Sequence, residues 1–240
     1  ASHSHKDHYD MDILRLADKY PNIHYIFSKD IRISPHFLSK HGIDPAVRDR
    51  VTFVSPDNTY HVDDLDIMTL RSTDAGVAFY VTSNGVSLFH AGDLNDWEWD
   101  GAGDLINGRV RRAFRHEIKK LSEKPINVAF FPMDPKLMEY QFKGFDFFLQ
   151  NTSAEFVFPM HMWQDYSGVQ PFIRRLSKKN PARAIAAKIT IIIAYCKNDP
   201  KKPGITTYSS SKHKAIHTGM LIHIFHILRS KQISISYYRN

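Results

Sequence analysis

The apolar and polar positions of the chain follow short periods that predict a mixed α/β protein. In the first half, short alternating or apolar runs are separated by turn residues, which is typical of antiparallel strands. The dipeptide Asn84-Gly85 is a strong signal for a tight hairpin turn. The strands predicted here are 22–28, 50–55 and the four runs TYHV, LDIMTLRS, GVAFYVTSNG and VSLFHAGD.

Helical spacing of apolar residues becomes dominant in the second half. Helices are predicted over 105–124, 138–151 and near 169–179, with strands over 126–133, 154–160 and 188–193 between or after them. Two earlier helices are predicted, one from about Tyr9 and one over 29–42. A strand meander followed by helix–strand alternation favours two sheets with helices outside them.

The pattern changes after residue 194, where polar and basic loop-like sequence predominates. We therefore predict one domain over 1–194 and a basic, atypical tail over 195–240 that packs poorly against it. Residues 171–240 contain 14 of the 32 Lys and Arg residues but only one of the 25 acids, so the excess positive charge belongs to this end. The basic tail makes nucleic acid a second, less favoured partner, because the rest of the chain is acidic.

Composition narrows the class of protein further. With 42% apolar and 24% charged residues, the chain is typical of a soluble globular protein. It has no apolar run of about 18 residues, so we expect no membrane partner. A single cysteine, Cys196, permits no intramolecular disulfide and fits a cytoplasmic location.

The first eight residues, ASHSHKDH, contain four potential metal ligands: His3, His5, Asp7 and His8. In an extended segment the first three point to the same side, because side chains alternate. Imidazole nitrogens and carboxylate oxygens suit zinc. The alternative is a histidine-rich, disordered terminus or a tag remnant.

Two later motifs also end predicted strands in ligand residues. One is His-Ala-Gly-Asp, ending at Asp93, and the other is Pro-Met-His, ending at His161. With the opening His-x-His-x-Asp-His, their order resembles the metallo-β-lactamase superfamily, specifically its broad group of uncharacterised metal-dependent hydrolases. Over about residues 1–194, the resemblance implies a four-layered αββα sandwich. Because that family has further strands before the histidine motif, the sandwich is expected to be incomplete at the N-terminus.

The resemblance also implies a ligand set for two divalent metal ions, with Zn²⁺ favoured and Mn²⁺ or Fe²⁺ as alternatives. It assigns His3 and His5 to one ion, Asp7, His8 and His161 to the other, and Asp93 to a bridge between them. The family usually has another histidine where this chain has Asp74. Asp74 is therefore either an oxygen ligand or a turn residue.

Four further residues are candidates for supporting roles. His90 is expected to orient the loop or a ligand, or to be purely structural. Asp134 is expected to hold a ligand histidine through its ring N–H, or to be a turn carboxylate. Trp97 and Trp163 are candidates for walls of a substrate pocket, with core or rim packing as the alternative.

The predicted function is hydrolysis of a small-molecule substrate. A hydroxide bound between two metal ions would attack an ester, lactone or phosphodiester, with Asp7 or Asp93 orienting it as catalytic residues. No Gly-rich phosphate loop and no Gly-x-Ser-x-Gly motif occurs. The alternative is a truncated or inactive metallohydrolase-like protein that binds nucleic acid through its basic tail.

Overall fold

A computed structural model describes residues 1–163, 165–169, 171–172, 174, 195–196 and 205–206. The strand predicted over 188–193, most of the helix predicted near 169–179 and most of the tail over 195–240 lie outside these residues. Two short strands, β9 (Tyr195–Cys196) and β10 (Ile205–Thr206), pair antiparallel.

A six-stranded mixed sheet dominates the described part of the chain. Its strands in spatial order are β3 (Thr59–Val62), β4 (Leu65–Arg71), β5 (Val77–Ser83), β6 (Val86–His90), β7 (Val128–Pro132) and β8 (Phe156–Met160). The first four form an antiparallel meander, whereas β6, β7 and β8 run parallel. Asn84 and Gly85 both have positive φ, as the predicted tight turn between β5 and β6 requires.

Two helices make the crossovers between the parallel strands. Helix α3 (Gly103–Lys119) joins β6 to β7, and α4 (Lys143–Asn151) lies between β7 and β8, preceded by a 3₁₀ helix over Pro135–Tyr140. Buried Phe114 and Ile118 of α3 and Phe145 and Phe148 of α4 belong to the same apolar core as the sheet residues. The α/β class predicted from the sequence is confirmed.

A second apolar core surrounds a parallel pair of strands, β1 (Tyr25–Ser28) and β2 (Val51–Val54). Its helices are α1 (Leu16–Lys19) and α2 (Pro35–Lys40), with 3₁₀ helices over Met11–Arg15 and Pro45–Arg50.

The start of α2 corrects the sequence prediction of one helix over 29–42. Ser34 caps α2 by accepting a hydrogen bond from the Phe37 N–H, and Pro35 occupies the first turn. A residue before proline disfavours helical backbone, so residues 29–33 stay outside the helix. The first helical turn likewise begins at Met11 rather than Tyr9, because the Asp10 side chain caps it.

The first two residues connect the two sheets. The Ser28 N–H donates to the Ala1 carbonyl at 3.1 Å, and the Val77 N–H donates to the Ser2 carbonyl at 3.0 Å. These bonds hold the opening segment between β1 and β5, which fixes where the histidines that follow can lie. Within the described residues, no helix is both long enough and apolar enough to cross a membrane.

Candidate metal centre

The candidate ligands meet at one edge of the six-stranded sheet. Because β6, β7 and β8 are parallel, their carboxyl ends lie at the same edge, and they are followed by Asp93, Asp134 and His161 respectively. Asp74 precedes β5, which is antiparallel to β6, so it reaches the same edge. The opening segment brings its own ligands to this edge through its bond to Val77.

Three overlapping groups of ligand atoms form within this cluster, and inside each group all atoms lie within 4.8 Å of one another. The groups are His3, His8 and Asp93; Asp7, His8 and His161; and His5, Asp74 and Asp93. The structure therefore brings together the six residues that the resemblance assigned as metal ligands, and it places Asp74, for which the sequence left a ligand or a turn role open, beside them. His3 and Asp93 are buried, whereas His5 and Asp74 are exposed.

Asp93 lies at the middle of the cluster. Its Oδ2 is 3.2 Å from His3 Nε2, and its Oδ1 is 3.0 Å from His8 Nε2 and 3.7 Å from His161 Nε2. Asp7 Oδ2 lies 3.5 Å from His8 Nε2 and 3.3 Å from His161 Nε2. The two oxygens of Asp93 thus face different histidines, which is the arrangement a bridging carboxylate requires.

The donor set fits a divalent metal. Three buried ligand atoms, His3 Nε2, His8 Nε2 and Asp93 Oδ1, have no hydrogen-bond partner among the described residues. Atoms around a tetrahedral zinc ion at about 2.1 Å lie about 3.4 Å from one another, close to the separations here.

Ser2 orients two of the histidines, a role that the ligand motif itself does not predict. Its buried hydroxyl oxygen lies 3.1 Å from His3 Nδ1 and 3.3 Å from His8 Nδ1. A hydroxyl oxygen has two lone pairs and can accept from both ring N–H groups. That arrangement leaves both Nε2 atoms unprotonated and directed at Asp93, as metal ligation requires.

Two glycines allow the opening segment to approach the sheet. A Cβ on Gly76 would lie 2.0 Å from the Ser2 carbonyl oxygen, and one on Gly92 would lie 2.7 Å from Ser2 Cβ. Both glycines also have positive φ. Only a residue without a side chain fits these positions while Ser2 keeps its place.

Asp134 holds His161 on the side away from the cluster. His161 Nδ1–H donates to Asp134 Oδ2 at 2.8 Å, which leaves Nε2 to face Asp7 and Asp93. Burial alone would lower the pKa of His161, but Asp134, Asp93 and Asp7 together raise it above its ordinary value. His161 also adopts a left-handed backbone with φ 62°, a strained conformation for a non-glycine residue.

The loop that carries Asp93 is fixed by its backbone. The Asp93 carbonyl accepts hydrogen bonds from Trp97 Nε1 at 2.8 Å and from Thr73 Oγ1 at 3.1 Å. His90 Nδ1 accepts from the Gly92 N–H at 3.1 Å, and burial lowers the pKa of His90 to about 4, which favours the neutral ring that this bond needs. Trp97 is buried, with its ring 5.5 Å from that of His161, so it packs against this histidine.

Comparisons with known proteins give fold similarity at low sequence identity. No family model matches the chain, and no curated protein matches it. The chain is similar to the solved structure of Igni18, a novel metallo hydrolase from Ignicoccus hospitalis, with 17% identity, 88% of this chain and 78% of that chain covered, and a TM-score of 0.49.

Two further solved structures give similar values. A putative metal-dependent hydrolase from Parabacteroides distasonis has 17% identity, with 78% of this chain and 73% of that chain covered and a TM-score of 0.48. The metallo-beta-lactamase fold protein YhfI from Bacillus subtilis has 12% identity, with 71% of this chain and 66% of that chain covered and a TM-score of 0.43. Each TM-score is below 0.5, so the geometry of the cluster carries the proposal that follows.

Proposed function

We propose that this protein is a metal-dependent hydrolase that holds two divalent ions and cleaves small ester, lactone or phosphodiester bonds. The observation that carries the proposal is the set of buried His3 Nε2, His8 Nε2 and Asp93 Oδ1 atoms, which face one another without hydrogen bonds. Burying such polar atoms without a partner is unfavourable, and bound cations on either side of Asp93 would satisfy all three.

The residues divide into two ligand sets around Asp93. His3 and His5, whose ring centres lie 4.5 Å apart, would hold one ion. Asp74 would lie beside them, since it forms a compact group with His5 and Asp93. Asp7, His8 and His161 would hold the other. When bound, such ions supply Lewis acidity, which lowers the pKa of a water and polarises a carbonyl or phosphoryl oxygen.

The chain itself supplies orientation and proton handling. Asp134 and Ser2 accept hydrogen bonds from the Nδ1–H groups of the histidines and so keep each Nε2 available for ligation. Asp7 is partly exposed, with 25% of its side chain accessible, so one of its oxygens can accept a proton from an attacking water. The zinc preference follows from the mixture of imidazole and carboxylate ligands, which Mn²⁺ and Fe²⁺ also accept.

The proposal is tested by hydrolysis of a panel of small aryl esters, lactones and phosphodiesters by the metal-loaded protein. We expect turnover that a chelator abolishes and that Zn²⁺ or Mn²⁺ restores. His161→Ala should lower kcat/KM by roughly 100-fold, because it removes a ligand together with the hydrogen bond by which Asp134 orients it. His36→Ala is the matched control, since His36 is exposed in α2, and it should leave activity unchanged. Equal activity of chelated and zinc-loaded protein would refute the proposal.

A further inference from the structure

Trp163 is an exposed aromatic side chain held in a fixed orientation beside the cluster. It is 44% exposed, yet its Nε1–H donates to Asp134 Oδ2 at 3.1 Å. Its ring lies 5.1 Å from the His161 ring in an edge-to-face arrangement. Its backbone is left-handed, with φ 48°. A non-glycine residue held in this strained backbone conformation at the edge of a candidate site is typical of a ligand-contacting position.

Lys136 places a cation on this ring. Its Nζ lies 3.3 Å from the centre of the Trp163 ring, and its backbone N–H donates to Asp134 Oδ1 at 2.8 Å. Because the Trp163 ring also lies 5.1 Å from the His161 ring, the Lys136 ammonium lies near this histidine. Asp134 anchors all three residues, so the cation keeps a defined position relative to the ligand histidine.

No carboxylate among the described residues lies within 4.0 Å of Lys136 Nζ, whereas the lysines Lys120 and Lys143 each have an acidic partner. Lys136 is also exposed. An accessible cation without an ion-pair partner, fixed over an aromatic ring at the edge of a catalytic cluster, is suited to binding an anionic group of an incoming molecule.

We propose that Lys136 and Trp163 form a subsite for a carboxylate of the substrate, so that the preferred substrates are esters or lactones with a carboxylate a few atoms from the scissile carbonyl. The inference rests on the proposed hydrolase function, in which the scissile carbonyl of the substrate lies at the cluster. Trp163 acts by holding the ammonium and by covering the apolar link between the two ends of the substrate.

Two esters with the same leaving group test the subsite in the zinc-loaded protein. One is the 4-nitrophenyl monoester of glutaric acid, and the other is its neutral counterpart with the carboxylate capped as a methyl ester. We expect a higher kcat/KM for the anionic ester. Lys136→Gln should raise KM for that ester by roughly tenfold, with kcat and the neutral ester unaffected, because the lost interaction is one of binding. Lys136→Arg should retain the preference.

Trp163→Ala should also raise KM for the anionic ester, because the ammonium loses its platform. Lys119→Gln is the matched control for loss of charge. Lys119 is exposed at the end of α3 that leads to the amino end of β7, away from the cluster edge, so this variant should behave as the wild type.

Two outcomes would overturn the subsite and leave the hydrolase function standing: equal kcat/KM for both esters in the wild type, or an equal loss on both esters in Lys136→Gln. Glutarate binding, followed by intrinsic tryptophan fluorescence, gives a readout that needs no turnover. The Kd should rise by roughly tenfold in Lys136→Gln. An unchanged Kd would overturn the subsite, whereas tight binding without hydrolysis of either ester would count against the hydrolase function alone.

Discussion

At the scale of single residues, the site depends on which nitrogen of each histidine carries the proton. The Nδ1 atoms of His3 and His8 share the hydroxyl of Ser2, and that of His161 faces Asp134. Each ring therefore presents Nε2 to the cluster. Ser2 and Asp134 are therefore essential to the site, because their hydrogen bonds to Nδ1 leave the Nε2 atom of each histidine free to ligate a metal.

Ser2→Ala should weaken zinc binding by roughly 10- to 100-fold, since neither His3 nor His8 would then have its Nδ1–H partner. Competition with a chromophoric zinc chelator measures this affinity directly. Ser39→Ala, an exposed position in α2, is the control and should bind zinc as the wild type does. Unchanged affinity in Ser2→Ala would show that the hydroxyl does not orient these rings.

At the scale of elements, the close contact between the opening segment and the start of β5 decides whether the histidines of that segment reach Asp93 and His161. Gly76 and Gly42 have the same φ of +67°, but a Cβ on Gly76 would strike Ser2, whereas one on Gly42 meets nothing within 4 Å. Gly42→Ala should cost only the left-handed strain of about 1–2 kcal/mol. Gly76→Ala should cost more than that and also impair zinc binding.

Urea unfolding and zinc titration of the two variants measure these effects together. Because Gly76 and Gly42 have the same φ, the backbone strain is the same in both variants. The difference between their free energies of unfolding therefore reports the collision of the new Cβ with Ser2. Equal free energies of unfolding and equal zinc affinities would mean that the segment can move away from β5 without loss of the site.

A second link between elements should respond to pH. Asp57, in the turn between β2 and β3, accepts from Lys120 Nζ at 2.7 Å and pairs with Arg71. The Lys120 hydrogen bond, reinforced by Arg71, lowers the pKa of Asp57 in the folded state. The stability that this pairing contributes is therefore present above the ordinary pKa of an aspartate and is lost as the pH falls through the lower folded value.

Asp57→Asn should accordingly destabilise the fold at neutral pH and cease to do so in strong acid. The Asp57 side chain is 38% exposed, so we expect no more than about 1 kcal/mol. Chemical denaturation across the acidic range measures the difference, with Asp18→Asn at an exposed position of α1 as the control. If Asp57→Asn still lowered the free energy of unfolding at a pH below the folded pKa of Asp57, the loss would come from some other interaction.

At the scale of the whole molecule, the sequence predicts the order of elements well because periodicity and turn chemistry are local. The convergence of Asp93 and His161 was also predictable, since both follow parallel strands. The hydroxyl of Ser2 and the close approach at Gly76 were not, because they depend on how the opening segment passes between β1 and β5. The helix predicted over 29–42 was partly wrong because Ser34 and Pro35 start it later.

We propose that Asp93 lies between two metal ions held by the seven residues of the cluster. Anomalous diffraction at the zinc absorption edge, from crystals of the zinc-loaded protein, tests it most directly. We predict two anomalous peaks separated by roughly 3.5–4 Å, one beside His3 and His5, the other beside Asp7, His8 and His161, with Asp93 contacting both. Crystals of zinc-loaded protein with no peak at this cluster, or with one peak that Asp93 does not contact, would contradict the claim.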